Sequence, residues 1–221
     1  MSILPTVNVE NIFTSDELDV VSQHVQRVGN LVVDTSSAYD DSGRGGRSLG
    51  NVIAHNIYWD YHDCPEIEKV LGPTLEKLLQ RKLIVTRAHI LEAKIPYLIH
   101  TDFIHENQGR TPEYTVIIPL ETYDSMTVCF NEWADGYNDF ELFKQNYSEE
   151  VKLKMDPKFC ARRLSHLHPK DLMYLTLHDT FTWTKGSVFA MDRRYFHCSD
   201  NFPRHGLDQK RAIVLWTFSN N

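Results

Sequence analysis

The sequence lacks the features that mark several protein classes. Its four cysteines are scattered and form no Cys-x-x-Cys pair, which argues against a thiolate zinc site. No apolar run approaches the roughly 20 residues that cross a bilayer, and the N-terminus shows no basic region followed by an apolar stretch. We therefore expect free thiols in a reducing compartment, a cytoplasmic protein and no membrane partner.

The chain also lacks a basic excess, internal repeats, low-complexity tracts and linker-like boundaries. Its net charge is -7, so it has no overall basic footprint, and a nucleic-acid partner is not expected. What it does have is 42% hydrophobic and 11% aromatic residues in 221, which is typical of a globular protein with a sizeable core. This length suits a single domain over 1–221.

Helical patterns come first along the chain. Thr14 followed by Glu17 forms the capping-box pattern, which marks the start of a helix. A second helical region opens near Asp63 with Pro65 in its first turn, and Pro73 is expected to kink or split it. We therefore predict N-terminal helices over about 1–82. The apolar face of the first helix is predicted from residues at helical spacing, namely Leu18, Val21, Val25 and Val28.

Strand patterns dominate from about residue 83 to the end. Segments rich in β-branched residues, in which apolar and polar positions partly alternate, are separated by turn-forming residues. The predicted strands lie near 83–91, 97–103, 114–120, 126–130, 186–191 and 211–218. Helices followed by many short strands favour an antiparallel double-sheet barrel over about 83–221, with the helices packed outside.

Two distant segments carry a candidate metal site. His100 and Asp102 follow an apolar strand, and alternation places both side chains on the same side. Two imidazoles and one carboxylate can occupy one face of a ferrous ion and leave the opposite positions open. A surface turn with two polar residues is the simpler alternative. The candidates for the second imidazole are His166, His168, His178, His197 and His205.

Among these candidates we favour His197. It follows the extended run 186–192, and Arg211 opens an apolar strand fourteen residues later. His178 remains the alternative, since it could pair with Arg193 or Arg194. Those two arginines flank a predicted turn, however, and we expect them to form a surface pair.

The ordered set of His100-Thr101-Asp102, His197 and Arg211 resembles the iron(II)/2-oxoglutarate-dependent dioxygenases. Residues 9–18 are similar to the first helix of their prolyl-hydroxylase-like branch, and the resemblance covers 7–218. Two departures weaken that branch assignment: Ile213 replaces the Ser of an Arg-x-Ser pair, and the interval from His197 to Arg211 is long.

The resemblance implies a mostly β fold, the double-stranded β-helix of jelly-roll and cupin-like proteins. It implies that His100, Asp102 and His197 bind Fe(II) and form the catalytic centre. It also implies that Arg211 pairs with the distal carboxylate of the cosubstrate 2-oxoglutarate, with Tyr114 as a hydrogen-bond donor to it. O2 is the further reactant, and because Asp102 is present, a halogenase is not expected.

The resulting functional prediction is hydroxylation of a small polar molecule such as an amino acid. One alternative is an oxygenase that acts on protein or nucleic acid, and another is a non-catalytic, cupin-like metal-binding module. Arg211 argues against the non-catalytic module, because a structural metal needs no cosubstrate cation. The glycine-rich loop from Arg44 to Arg47 is a candidate lid over an anionic group.

Overall fold

Two antiparallel sheets form the protein. The structure is a computed structural model that describes residues 3–35, 52–103, 110–135 and 140–220. The strands are β1 (Val7–Val9), β2 (Asn30–Thr35), β3 (Val52–Trp59), β4 (Val85–Ala93), β5 (Arg110–Pro119), β6 (Met126–Trp133), β7 (Leu177–Thr182), β8 (Val188–Asp192), β9 (Tyr195–Ser199) and β10 (Lys210–Asn220). The helices are α1 (Ser15–Val28), α2 (Pro65–Leu79), α3 (Phe140–Gln145), α4 (Pro157–Arg163) and α5 (Pro169–Leu172). A 3-10 turn (Phe202–His205) precedes β10.

The large sheet has the strand order β1-β8-β5-β10-β4-β3-β2, and the small sheet has the order β7-β6-β9. The predicted antiparallel double sheet is therefore present. The N-terminal third differs from its prediction, because 1–82 contributes three strands to the large sheet in addition to two helices. Strand β3 escaped detection because polar side chains such as His55 and Asn56 interrupt its apolar pattern.

The first helix begins as predicted. The Thr14 main-chain N–H donates to Glu17 (2.8 Å), and the Glu17 N–H donates to the Thr14 hydroxyl (3.3 Å). Leu18, Val21 and Val25 are buried, whereas Val28 is half exposed. Pro73 does not split the helix: α2 runs unbroken through it, because the buried face of the helix, which includes Leu71 and Leu75, packs against the sheet.

The large sheet has two different faces. Helices α1 and α2 cover one face, where Ile213 and Leu215 of β10 join Ala88 and Ile90 of β4 in the main apolar core. The alternate residues of the same strands point to the opposite face. That face borders a pocket shared with the small sheet. Within the described residues, no helix is long and apolar enough to span a membrane.

Candidate metal centre and adjoining pocket

His100, Asp102 and His197 come together in the interior. One ligand atom from each lies within 4.8 Å of the others, and all three residues are buried. Nε2 of His100 is 3.7 Å from Oδ1 of Asp102, and Nε2 of His197 is 3.4 Å from Oδ2. The other candidate imidazoles do not join this cluster.

The backbone brings the two imidazoles together. The His100 N–H donates to the His197 carbonyl (3.0 Å), and the His197 N–H donates back to the His100 carbonyl (2.9 Å). This is an isolated antiparallel bridge, so the predicted strand over 97–103 is wrong in extent. The segment is irregular on either side of the bridge, yet His100 and Asp102 still point to the same cavity.

Hydrogen bonds orient both rings. Nδ1 of His100 lies 2.7 Å from the Leu98 carbonyl oxygen, and Nδ1 of His197 lies 3.1 Å from that of Tyr195. A carbonyl can only accept, so each Nδ1 carries the proton. The Nε2 lone pairs are therefore left to face Asp102, which is the arrangement that holds histidine ligands of metals in place.

Asp102 is fixed by two further residues. The Thr115 hydroxyl donates to its Oδ2 at 2.6 Å. Nε and Nη2 of Arg193 donate to its main-chain carbonyl at 2.9 and 2.6 Å. Arg193 is buried, with its guanidinium 4.5 Å from the ring centres of Trp216 and Phe218. The expected surface pair is therefore wrong, since Arg194 is also buried and bonds Asp192.

The charge states of the cluster suit a metal cation. Burial, and then the neighbouring His197, lower the pKa of His100 to about 4, so this imidazole is neutral at physiological pH. Burial alone would raise the pKa of Asp102, but His197, His100 and the Thr115 hydroxyl hold it below its usual range. One carboxylate and two imidazole nitrogens form the donor set of the facial iron(II) site, so the residues fit the ion.

The cluster opens into a pocket between the two sheets, whose space amounts to about 750 Å³ when the solvent at its mouth is included. We call the wall formed by Thr127, Trp183, Cys198 and Ser199 the small-sheet end. We call the wall formed by Asp34, Asn56, Tyr58 and Arg87 the sheet-edge end. His89, Thr115 and Trp216 line the pocket as well.

The two residues predicted to hold the cosubstrate do not line this pocket. Arg211 lies at the surface, with Nε 3.6 Å from Glu92 and Nη1 3.7 Å from Glu121. The Tyr114 ring belongs to the core beneath the helices, with the guanidinium of Arg81 5.3 Å from its centre. Neither side chain faces the pocket, because each leaves its strand on the helix-covered face.

Lys210 occupies the opposite face at the start of the same strand. Its ammonium donates to Ser125 Oγ (3.1 Å) and lies 4.0 Å from the ring centre of Trp183 and 4.0 Å from Asp200 Oδ1. Asp200 is also bonded by Arg163 at 3.2 Å. Burial lowers the pKa of Lys210 to about 8, with Asp200 opposing the shift. This buried cation therefore adjoins the small-sheet end.

Sequence reasoning missed Lys210, Thr115 and Arg193. For Lys210 the alternation of side chains along a strand was a usable signal. Lys210 lies on the same face of β10 as Ala212 and Val214, whereas Arg211 lies on the same face as Ile213. Both faces of β10 are apolar, however, so alternation alone could not tell which face borders the pocket. The candidate lid from Arg44 to Arg47 lies outside the described residues.

Solved structures share the fold of this chain. A scan against protein-family models finds no match, and no curated protein matches the chain. The structure of the epimerase SnoN with Fe3+, alpha ketoglutarate and nogalamycin RO is similar, with a TM-score of 0.55 and 11% identity over 96% of this chain and 78% of that one. The structure of the non-heme alpha ketoglutarate dependent carbocyclase SnoK has a TM-score of 0.52 and 15% identity, over 96% of this chain and 79% of that one.

HygX from Streptomyces hygroscopicus, with nickel and 2-oxoglutarate bound, gives a TM-score of 0.51 and 11% identity over 98% of this chain and 83% of that one. These likenesses extend along nearly the whole described chain. At such identities they concern the fold, and they confirm the predicted mostly β, jelly-roll class.

Proposed function

We propose that this protein is an iron(II)/2-oxoglutarate-dependent oxygenase that hydroxylates a small polar molecule. The observation that carries the proposal is the buried group of His100, Asp102 and His197. Both imidazoles are held with Nε2 available, and the group faces a pocket. SnoN and HygX, which share the fold, hold a metal and the same cosubstrate.

Each residue of the centre has a separable task. The two imidazoles and Asp102 would hold iron(II), and Thr115 and Arg193 keep the carboxylate and its main chain in place. Iron and 2-oxoglutarate, when bound, supply the activation of O2 that oxidises a C–H bond. Apolar pocket residues such as Ile117 and Val214 exclude water around the reacting atoms.

The small-sheet end suits the distal carboxylate of 2-oxoglutarate. Thr127 and Ser199 present hydroxyl groups there, and Lys210 lies directly behind Trp183. The nearest acceptors of Lys210 are the neutral Ser125 hydroxyl and the Met126 carbonyl, while Asp200 is at 4.0 Å. Lys210 does not itself line the pocket and pairs with Asp200, so we propose that it acts on the carboxylate as a cation behind this wall, in the role predicted for Arg211.

The pocket lining and chain chemistry support a small substrate in a reducing compartment. The pocket is lined mainly by apolar and aromatic side chains with a few polar groups, as small-molecule sites are. SnoN, which has the same fold, was solved with nogalamycin RO, a small molecule. All four cysteines are buried free thiols, as expected for a cytoplasmic protein.

The test is conversion of 2-oxoglutarate to succinate by the purified protein with Fe(II), ascorbate and O2. We expect slow succinate formation by the protein alone, faster formation with a true substrate, and none by a His197→Ala variant. A non-catalytic metal-binding module would bind iron and form no succinate. Equal succinate formation by wild type and His197→Ala would contradict the proposed centre.

A further inference from the structure

Arg87 places a cation in the pocket, at the sheet-edge end. Its guanidinium lies 4.7 Å from the ring centre of Tyr58 and 4.5 Å from that of Trp216, and Nη2 donates to the Tyr58 hydroxyl at 2.5 Å. Within the described part of the chain, Arg87 forms no ion pair. A stacked guanidinium with donors left over is a preorganised partner for a carboxylate.

Arg87 and Lys210 define separate anion sites. Lys210 lies opposite Ala93 of β4, six residues from Arg87 on that strand. Six residues correspond to about 20 Å of strand, so the two cations cannot both hold one carboxylate. If Lys210 serves the cosubstrate, Arg87 remains for another ligand.

Hydrogen-bond acceptors lie beside Arg87. Asn56 donates its Nδ2 to Asp34 Oδ2 at 2.5 Å. The Oδ1 of Asn56 has no hydrogen-bond partner among the residues described, and water cannot easily reach it because Asn56 is only 2% exposed. Burial raises the pKa of Asp34, an effect that Arg87 and Asn56 partly offset. A buried acceptor without a partner is costly, and a ligand that carries an N–H or O–H group would satisfy it.

Two more polar groups of the pocket wall have no partner in the described structure. Nε1 of Trp216 and Nδ1 of His89 are buried, and each residue is 7% exposed. The indole nitrogen can only donate, so it suits a carboxylate or carbonyl oxygen beside Arg87. Burial lowers the pKa of His89 to about 3, so this ring is a neutral hydrogen-bonding group.

We propose that the sheet-edge end recognises the head group of a free amino acid. Arg87 and the Trp216 N–H would bind the carboxylate, and Asn56 Oδ1 with Asp34 would accept from the amine. The substrate of the proposed oxygenase is accordingly an L-amino acid or a close relative with both groups free. This inference rests on the proposed function, because it assigns the pocket beside the iron to the substrate.

The experiment is isothermal titration of Ni(II)-loaded protein, which cannot turn over, in the presence of saturating 2-oxoglutarate. The probes are the twenty standard L-amino acids, each compared with its α-carboxamide, which lacks the negative charge. We expect at least one amino acid to bind, and its carboxamide to bind at least about tenfold more weakly, as for loss of a hydrogen bond to a charged group.

Two substitutions at Arg87 isolate its role. Arg87→Met keeps an apolar stem between the two rings but removes the charge, and it should weaken amino-acid binding at least about tenfold. Arg87→Lys should recover part of that loss. Both variants should bind 2-oxoglutarate within about twofold of wild type, and Arg162→Gln, at an exposed arginine outside the pocket, should change neither affinity.

A further variant keeps the inference testable if Arg87 variants fold poorly. Asp34→Asn should weaken binding of the amino acid more than binding of the matching 2-hydroxy acid, because only the amine carries a positive charge. Equal binding of acids and carboxamides, no amino-acid binding by wild type, or a loss of 2-oxoglutarate affinity in Arg87→Met would each overturn the inference. Failure of wild type to bind 2-oxoglutarate would instead overturn the proposed function, and the inference with it.

Discussion

Lys210 and Arg211 are adjacent residues on one strand, yet they face different environments. The Arg211 side chain shares its face with Ile213 and Leu215, and it reaches the surface carboxylates Glu92 and Glu121. Lys210 shares its face with Ala212 and Val214 and is 1% exposed. Because side chains alternate along a strand, a shift of one position decides which cation can approach the cosubstrate.

Substitution of each cation separates these assignments. Lys210→Met should weaken 2-oxoglutarate binding at least about tenfold, since a contact with a charged group contributes roughly 1.5–3 kcal/mol. Arg211→Gln should leave the dissociation constant for 2-oxoglutarate within about twofold of the wild-type value, because the Arg211 side chain is outside the pocket. Calorimetric titration of the Ni(II)-loaded variants measures both constants, and the reverse pattern would restore Arg211 as the anchor.

The Thr115 hydroxyl should matter for metal affinity. Thr115→Val removes the donor to Asp102 while nearly keeping the side-chain volume, and loss of such an outer partner typically costs about 10–100-fold in affinity. The control is Thr86→Val on β4, whose buried hydroxyl has no partner in the described residues. Competition with a chelator measures Fe(II) or Co(II) affinity, and equal affinities in the two variants would remove Thr115 from the centre.

Among the elements, α1 covers the helix side of the large sheet, and its start depends on a local sequence signal. The capping box of Thr14 and Glu17 was readable because it involves residues three apart. Pro73 in α2 shows the limit of such signals, since the buried leucines of that helix offset the missing hydrogen bond.

The cap provides a stability prediction for this element. Thr14→Ala should lower the free energy of unfolding by about 1 kcal/mol, the usual value of an N-cap. Gln26→Ala, in the same helix at an exposed position, should change it by only a few tenths of a kcal/mol, with either sign. Urea denaturation measures both, and equal effects would show that the cap does not anchor α1.

Five of the ten strands in the described residues could be predicted from the sequence, because β-branched alternation is a local property. Strands β4, β5, β6, β8 and β10 all overlap their predicted segments. Strands β1, β2, β3, β7 and β9 were not predicted; in β3, polar residues such as His55 and Asn56 interrupt the apolar pattern. The metal cluster could be predicted from the types and spacing of its ligands. The positions of Lys210 and Arg193 could not be predicted, because they depend on which face of the large sheet borders the pocket.

At the scale of the whole molecule, the pairing of the two sheets creates the site. His197 is 97 residues after His100, and the two meet only because β9 of the small sheet bridges the segment that follows β4. The same sheet packing buries Lys210 beside Asp200 and Arg163. Placing a buried ammonium there has a consequence for global stability.

Stability should depend on pH through Lys210. Its pKa is about 8 in the folded protein and near its ordinary value of 10.5 when unfolded. Between these values the unfolded state binds more protons, so stability rises with pH. Relative to Lys210→Met, wild type should gain up to roughly 3 kcal/mol from pH 8 to pH 10.5. Urea unfolding of both proteins across this range measures the gain, and parallel curves would show that Lys210 titrates normally.

The most direct test of the central claim is an anaerobic titration of Fe(II)-loaded protein with 2-oxoglutarate. Chelation of ferrous iron by the keto acid produces a visible charge-transfer absorption, so binding is observed without turnover. We expect a saturable absorption with one 2-oxoglutarate per protein in wild type and its loss in both His197→Ala and Asp102→Ala. Absence of the absorption in wild type, or its persistence in His197→Ala, would contradict the assignment of His100, Asp102 and His197 as the iron site.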